Sequence, residues 1–269
     1  MSQAYGNGTV LCAVDGRGVA TVTLNRPERN NAYNSDVIGG LLDAFGRLVA
    51  DAAVRIVVIR GNGKHFQAGA DLGWLKEIGA LSPEENIVVS RRTASAIRGL
   101  TEFPKPTVAL IHGGCFGGGT GIAAAADVVI ASQDAIFSIT EARWGVMAGI
   151  IVPHLNAAIG VRNVRRFALT CERFGAVEAK ELGLVHMVCP EGGLDAAAAP
   201  VIDALLMSAP EATAQTKRRT LIEAGLMMTD AHFEELVVEH SAKRQTAEAV
   251  EGLASFLEKR PPNWYPGPA

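Results

Sequence analysis

The run Ile111-His112-Gly113-Gly114-Cys115-Phe116-Gly117-Gly118-Gly119-Thr120-Gly121 constrains this chain more than any other stretch, because six of its eleven residues are glycine. It follows an apolar run at 107–111 that reads as a buried strand and leads into an alanine-rich helix at 121–126. Glycines at such a junction permit positive φ and let N–H groups at a helix start face a partial negative charge. The same composition also suits a tight turn packed against a neighbouring backbone. A nucleotide-phosphate loop is excluded, since no Gly-Lys-Ser/Thr ending follows, and a dinucleotide fingerprint lacks its spacing and its later acidic residue. A second segment, Gly61-Asn-Gly-Lys-His-Phe-Gln-Ala-Gly-Ala-Asp71, leaves another short apolar strand at 55–60 in the same manner.

The rest of the chain alternates strand and helix signals. A hairpin is predicted over 10–14 and 19–24, turning at Asp15-Gly16-Arg17-Gly18 and ended by Pro27. Apolar residues Val37, Ile38, Leu41, Leu42, Phe45, Leu48 and Val49 recur at helical spacing behind Ser35 as N-cap. Ser82-Pro83-Glu84-Glu85 is a capping-box start for a helix to about residue 100. A strand at 127–131, a helix at 176–183 and a strand at 184–188 follow. This alternation implies parallel strands joined by right-handed helical crossovers. After Pro190-Glu-Gly-Gly the pattern is helical only, over 200–206, 210–224 and 231–259. The expected division is a core at 1–195 and a C-terminal helical part at 196–269.

Length and charge bound the function. A chain of 269 residues with 48% hydrophobic content buries a core without staples. A net charge of -3, spread along the chain, gives no field suited to nucleic acid or an anionic membrane. Cys12, Cys115, Cys171 and Cys189 are too scattered for a metal or redox motif and read as buried thiols. No basic leader with an apolar run opens the sequence and no apolar stretch approaches ~20 residues, so the expected location is the cytoplasm.

Four motifs carry a resemblance: Asn25-Arg26-Pro27-Glu28, Phe66-Gln-Ala-Gly-Ala-Asp71-Leu72, the glycines from Gly113 to Gly119, and Gly183-Leu184-Val185. In order and separation they resemble the enoyl-CoA hydratases and isomerases of the crotonase superfamily. The resemblance spans roughly residues 10 to 260 and implies an α/β fold, a crotonase-type spiral of ββα turns with a C-terminal helical part used in trimerisation. It implies two backbone N–H groups, of Ala70 and Gly118, as an oxyanion hole for an acyl-CoA thioester. Trimers, paired as hexamers, are the implied assembly. No metal or redox cofactor is implied, coenzyme A entering as part of the substrate.

Hydratases of this family usually carry two glutamates. Here the first position is Gly121, and the second falls in Phe137-Ser-Ile-Thr-Glu141-Ala-Arg-Trp-Gly145, leaving Glu141 as the only matched carboxylate. A surface ion pair with Arg143 is the plainer reading of that glutamate. The combination with Trp74, Thr140 and Pro153-His154-Leu resembles a one-glutamate bacterial branch acting on branched glutaconyl thioesters, isohexenylglutaconyl-CoA and methylglutaconyl-CoA, in acyclic terpene and leucine breakdown. The expected reaction is hydration of the α,β double bond, with Glu141 serving both proton transfers. An isomerase using Glu141 alone, or a silent acyl-CoA-binding protein, are the alternatives.

The substrate's distal carboxylate needs a cation or strong donors if it is buried, and His65, Lys76, Arg143 and His154 are the candidates. The resemblance places Ala68, Asp71, Leu72, Trp74, Gly117 and Gly121 around the acyl group. For Trp74 a place in the core is the slightly stronger reading. For coenzyme A the resemblance implies Arg26, Arg29 and the backbone near Ala32, with Lys259 and Arg260 reaching the phosphates, often of a neighbouring subunit.

Overall fold

The computed structural model describes residues 2–267. Strands β2 (Val10–Val14) and β3 (Val19–Leu24) form the predicted hairpin, with β1 (Ser2–Tyr5) added antiparallel at its outer edge. The turn closes because Asp15 Oδ1 accepts from the N–H groups of Arg17 and Val19 at 2.8 and 2.9 Å. From β3 onward the sheet is parallel, through β4 (Ile56–Gly61), β5 (Thr107–Ile111), β7 (Val128–Ser132) and β10 (Met187–Cys189). Its order is β1-β2-β3-β4-β5-β7-β10.

The inner strands β4, β5 and β7 are covered on both faces, which explains their apolar runs. In β5, Ala109 and Ile111 enter the main core beside α1 (Ser35–Ala50) and α3 (Pro83–Thr101). Val108 and Leu110 instead face Leu194 and Ala198 of α7 (Leu194–Met207). A second sheet orders β6 (Gly114–Phe116), β8 (Ile136–Ser138) and β9 (Phe174–Gly175), with Phe137 stacked on Phe174. The remaining helices are α2 (Leu72–Gly79), α4 (Gly118–Ala125), α5 (Val152–Thr170), α6 (Ala176–Leu182), α8 (Pro210–Glu223), α9 (Asp230–Arg244) and α10 (Ala247–Leu257). The α/β architecture is the expected one, all four cysteines are buried free thiols, and no described helix is long and apolar enough to cross a membrane.

Three local expectations are corrected. Asn34, not Ser35, caps α1, its side chain accepting from Val37 N–H. The glycine cluster itself enters the helix, because α4 starts at Gly118. The helix expected over 231–259 is two, since the Thr246 side chain accepts from Ala249 N–H and restarts the chain as α10. That break turns α10 back onto the 141–144 turn: a Cβ at Gly252 would lie 2.3 Å from the Trp144 carbonyl oxygen.

Candidate active site

The two glycine-containing segments lie side by side, Gln67 forming an isolated bridge to Cys115 of β6. Gln67 N–H donates to Gly114 O at 3.1 Å and Phe116 N–H to Gln67 O at 2.9 Å. His65 braces the pair, its Nδ1 accepting from Gly114 N–H at 2.7 Å. The Asn31 amide donates to the carbonyls of Asn62 and His65, fixing the loop before the bend. Gln67 folds over the bend, giving its amide to Gly69 O and receiving Gly69 N–H, both at 2.8 Å. Tyr33 then bridges alongside, donating N–H to Gly69 O and accepting from Asp71 N–H.

This pairing leaves the N–H groups of Ala70 and Gly118 without backbone or side-chain acceptors among the described residues. Gly118 is the first residue of α4, where intrahelical acceptors are lacking and the helix dipole is positive. Neither neighbouring glycine tolerates a side chain. Gly117 has φ 50°, and a Cβ there would come 3.0 Å from Glu141 Oε1, whereas one on Gly118 would come 2.6 Å from Tyr33 Cε1.

Glu141 opens a short 3-10 turn, Glu141–Trp144, held to the glycine segment through Gly117 N–H donating to Ser138 O at 2.9 Å. The residue keeps some exposed surface, yet its Oε2 is enclosed and has no hydrogen-bond partner among the described residues. Burial pushes its carboxyl up to about 7, against the opposing N–H groups of Glu141 and Thr140. Arg143 does not pair with it, donating instead to Thr170 O at 3.1 Å.

Ala70, Gly118 and Glu141 open onto one cavity of about 320 Å³. Leu41, Leu75, Ile97, Ile122 and Ile150 supply apolar wall, and Glu141 is the one acidic side chain among the described residues lining it. Ala68, Leu72 and Gly117 line it too. Gly121 does not: a Cβ there would collide with Ile151 Cγ2 at 2.3 Å, so Ile151, itself a lining residue, occupies the ground a second carboxylate would need.

Other expected residues stand elsewhere. Trp74 lies behind the wall, donating Nε1–H to Ser35 Oγ at 3.0 Å and meeting Tyr33 edge-on; Trp144, packed on Phe256, lines the cavity instead. Arg26 and Asp71 form an ion pair at 2.7 Å, and Arg26 also donates to Ala32 O, so the three make a strut beneath the bend. Asp71 caps α2 as well, and the Arg26 guanidinium with two N–H donors holds its carboxyl low despite burial. His154 is buried against Thr101 Oγ1 at 2.9 Å and held neutral, its pKa pushed down to about 4 by burial. None of His65, Lys76, Arg143 and His154 lines the cavity. Arg29 and Lys259 are exposed, whereas Arg260 is spent on Glu251 and Glu258 at 2.6 Å each.

Sequence reasoning missed Tyr33, Trp144, His240, Arg244 and Phe256. The signal for two of them was present: Phe233, Val237, Ser241 and Arg244 recur at helical spacing as the buried stripe of α9, and His240 adjoins it.

The enoyl-CoA hydratase/isomerase family model matches residues 15–266. A Thermus thermophilus protein provisionally named an enoyl-CoA hydratase is 35% identical over 246 residues, covering 91% of this chain and 97% of its own length. A peroxisomal Delta(3,5)-Delta(2,4)-dienoyl-CoA isomerase from Arabidopsis thaliana is 29% identical over 252 residues, 90% of each chain. The crystal structure of an enoyl-CoA hydratase from Mycobacterium avium superposes with a TM-score of 0.84 at 32% identity, covering 96% of this chain and 99% of that one. With paired strand ends, two N–H groups without acceptors among the described residues and a half-buried glutamate on one cavity, the chain belongs to the enoyl-CoA hydratase/isomerase family of the crotonase superfamily.

Proposed function

We propose that the chain hydrates the α,β double bond of a branched enoyl-CoA bearing a second carboxylate, of the isohexenylglutaconyl-CoA and methylglutaconyl-CoA class. One observation carries the reading: Glu141 is the single acidic group among the described residues of a cavity that also presents the N–H groups of Ala70 and Gly118. As water attacks the β-carbon, Glu141 takes its proton and the carbonyl π electrons move onto the thioester oxygen. The two N–H groups hold that enolate, each worth about 3 kcal/mol by analogy with other oxyanion holes. Glu141 then returns the proton to the α-carbon, so that H and OH add to one face and the carboxylate is regenerated. A carboxyl poised near 7 is suited to both halves of this exchange.

The apolar walls support a branched hydrocarbon chain, and the filled space at Gly121 supports the use of one glutamate. The exposed Arg29 and Lys259 are the proposed partners of the coenzyme A phosphates. Exposed Val250, Phe256 and Leu257 on α10 support self-association as trimers. A panel of crotonyl-, methylglutaconyl- and isohexenylglutaconyl-CoA, followed at the enoyl thioester absorbance, tests the substrate: the branched acids are expected to be hydrated faster, and equal rates on all three would remove the narrow assignment. An isomerase, in which Glu141 moves a proton between carbons, is the second reading, favoured by the absence of a second carboxylate from the described lining.

A further inference from the structure

Two arginines line the cavity, and their surroundings differ. Arg173 is exposed, with its guanidinium over the Phe116 ring at 5.6 Å from the centroid. Arg244, at the end of α9, is 3% exposed and has no carboxylate partner among the described residues. Its Nη2 donates to Ser90 Oγ and, at 3.4 Å, to His240 Nδ1, while its buried Nη1 has no partner at all among the described residues. Ser90 Oγ lies 3.0 Å from the same His240 nitrogen. Because Nδ1 accepts from Arg244, the neutral ring carries its proton on Nε2.

An unpaired guanidinium in an enclosed site costs stability unless something anionic neutralises it. The neighbours do not. Burial keeps His240 neutral, pushing it down to about 3, and keeps the Tyr33 phenol protonated by raising its pKa. Asn86 Oδ1, one helical turn before Ser90 and also without a partner, is an uncharged acceptor. Burial lowers Arg244 only to about 10, so it remains a cation at neutral pH. A coenzyme A phosphate, a strongly hydrated dianion, would lose more on entering a cavity walled mainly by Leu41, Leu75, Ile97, Ile122 and Ile150 than a singly charged carboxylate.

Tyr33 fixes where the missing anion belongs. Its ring stands against the oxyanion donor at Gly118 and is in electrostatic reach of both Glu141 and Arg244. Arg244 thus lines the same cavity as Tyr33, Gly118 and Glu141, which puts the cation on the wall of the site proposed to hold the reacting carbons. We propose that the Arg244 guanidinium, held by Ser90 and His240 and flanked by Tyr33, is the receptor for a carboxylate carried by the acyl chain a short distance beyond the double bond. Arg244 offers the paired planar donors that match a carboxylate, with the terminal Nη1 still free. This rests on the enoyl-CoA hydration reading and adds to it the group that selects an acidic substrate.

The test compares glutaconyl-CoA with its distal methyl ester, which has the same acyl chain but no charge on its distal group, on the full-length protein. The wild type is expected to favour the acid by about 100-fold in kcat/KM, the scale of one buried charge-assisted pair. Arg244→Lys is expected to keep part of that ratio, and Arg244→Met to bring it to within about threefold. Equal wild-type rates on acid and ester, or a ratio that survives in Arg244→Met, would overturn the receptor while leaving hydration standing. If neither thioester is hydrated, calorimetric binding of the corresponding saturated thioethers decides separately. Tighter binding of the acid by about 100-fold, lost in Arg244→Met, upholds the receptor and removes hydration, and equal binding removes the receptor as well. Loss of fold in Arg244→Met leaves both the wild-type comparison and the lysine variant decisive.

Discussion

Glu141 is placed by what surrounds it rather than by a partner: Gly117 yields the space, α10 buttresses the turn, and burial sets its titration near 7. A base must be ionised to act, and raising its pKa shrinks the ionised fraction at lower pH. The hydration kcat/KM is therefore expected to rise with pH through about 7 and then level off, and a flat profile from about pH 5 to about pH 9 would contradict the role. Gly121 and Ile151 form the complementary pair. Gly121→Ala is expected to destabilise by roughly 1–3 kcal/mol in urea unfolding, through the 2.3 Å clash with Ile151. In Ile151→Ala the same substitution is expected to cost much less, a coupling that a double-mutant cycle reads directly. Glu141 and the glycines were legible because each carries its chemistry in one short motif. His154 and Trp74 misled because local sequence does not say which face a residue presents, and both turn inward to hydroxyl partners at Thr101 and Ser35.

Among the elements, those with complete local signals were read correctly. Strand β5 is bounded by Pro106 and the glycine cluster, and α3 begins at the expected reciprocal cap: Glu85 N–H donates to Ser82 Oγ at 3.2 Å and Ser82 N–H to Glu85 Oε2 at 3.0 Å. Ser82→Ala is expected to lower unfolding stability by about 1 kcal/mol, measured by denaturant titration at constant m-value. The small sheet was not legible, since β6, β8 and β9 have two or three residues each and exist through their pairing with one another. Helix α5 was hidden by Gly160, whose φ of 75° and ψ of 149° interrupt the periodicity. The break before α10 has a local signal, Thr246, but its consequence is tertiary: it brings Phe256 against Trp144 at the cavity.

At the scale of the whole molecule, the C-terminal helices complete the site that the spiral begins. Helix α9 supplies His240 and Arg244, and α10 supplies Phe256, from positions more than a hundred residues after Ala70 and Gly118. No motif spacing links groups so distant, so the sequence points to His65, Lys76, Arg143 and His154, none of which lines the cavity, and not to Arg244, which does. The exposed apolar side chains of α10 carry a further expectation: sedimentation velocity is expected to show trimers or hexamers, and a concentration-independent monomer would contradict the proposed self-association. The central claim, that Glu141 adds water instead of moving a double bond, is tested most directly by turnover of a branched enoyl-CoA in ¹⁸O-labelled water. The wild type is expected to place solvent oxygen on the β-carbon, with Glu141→Gln slower by about 10²- to 10⁴-fold. A rearranged product without solvent oxygen, or undiminished labelling by Glu141→Gln, would contradict it.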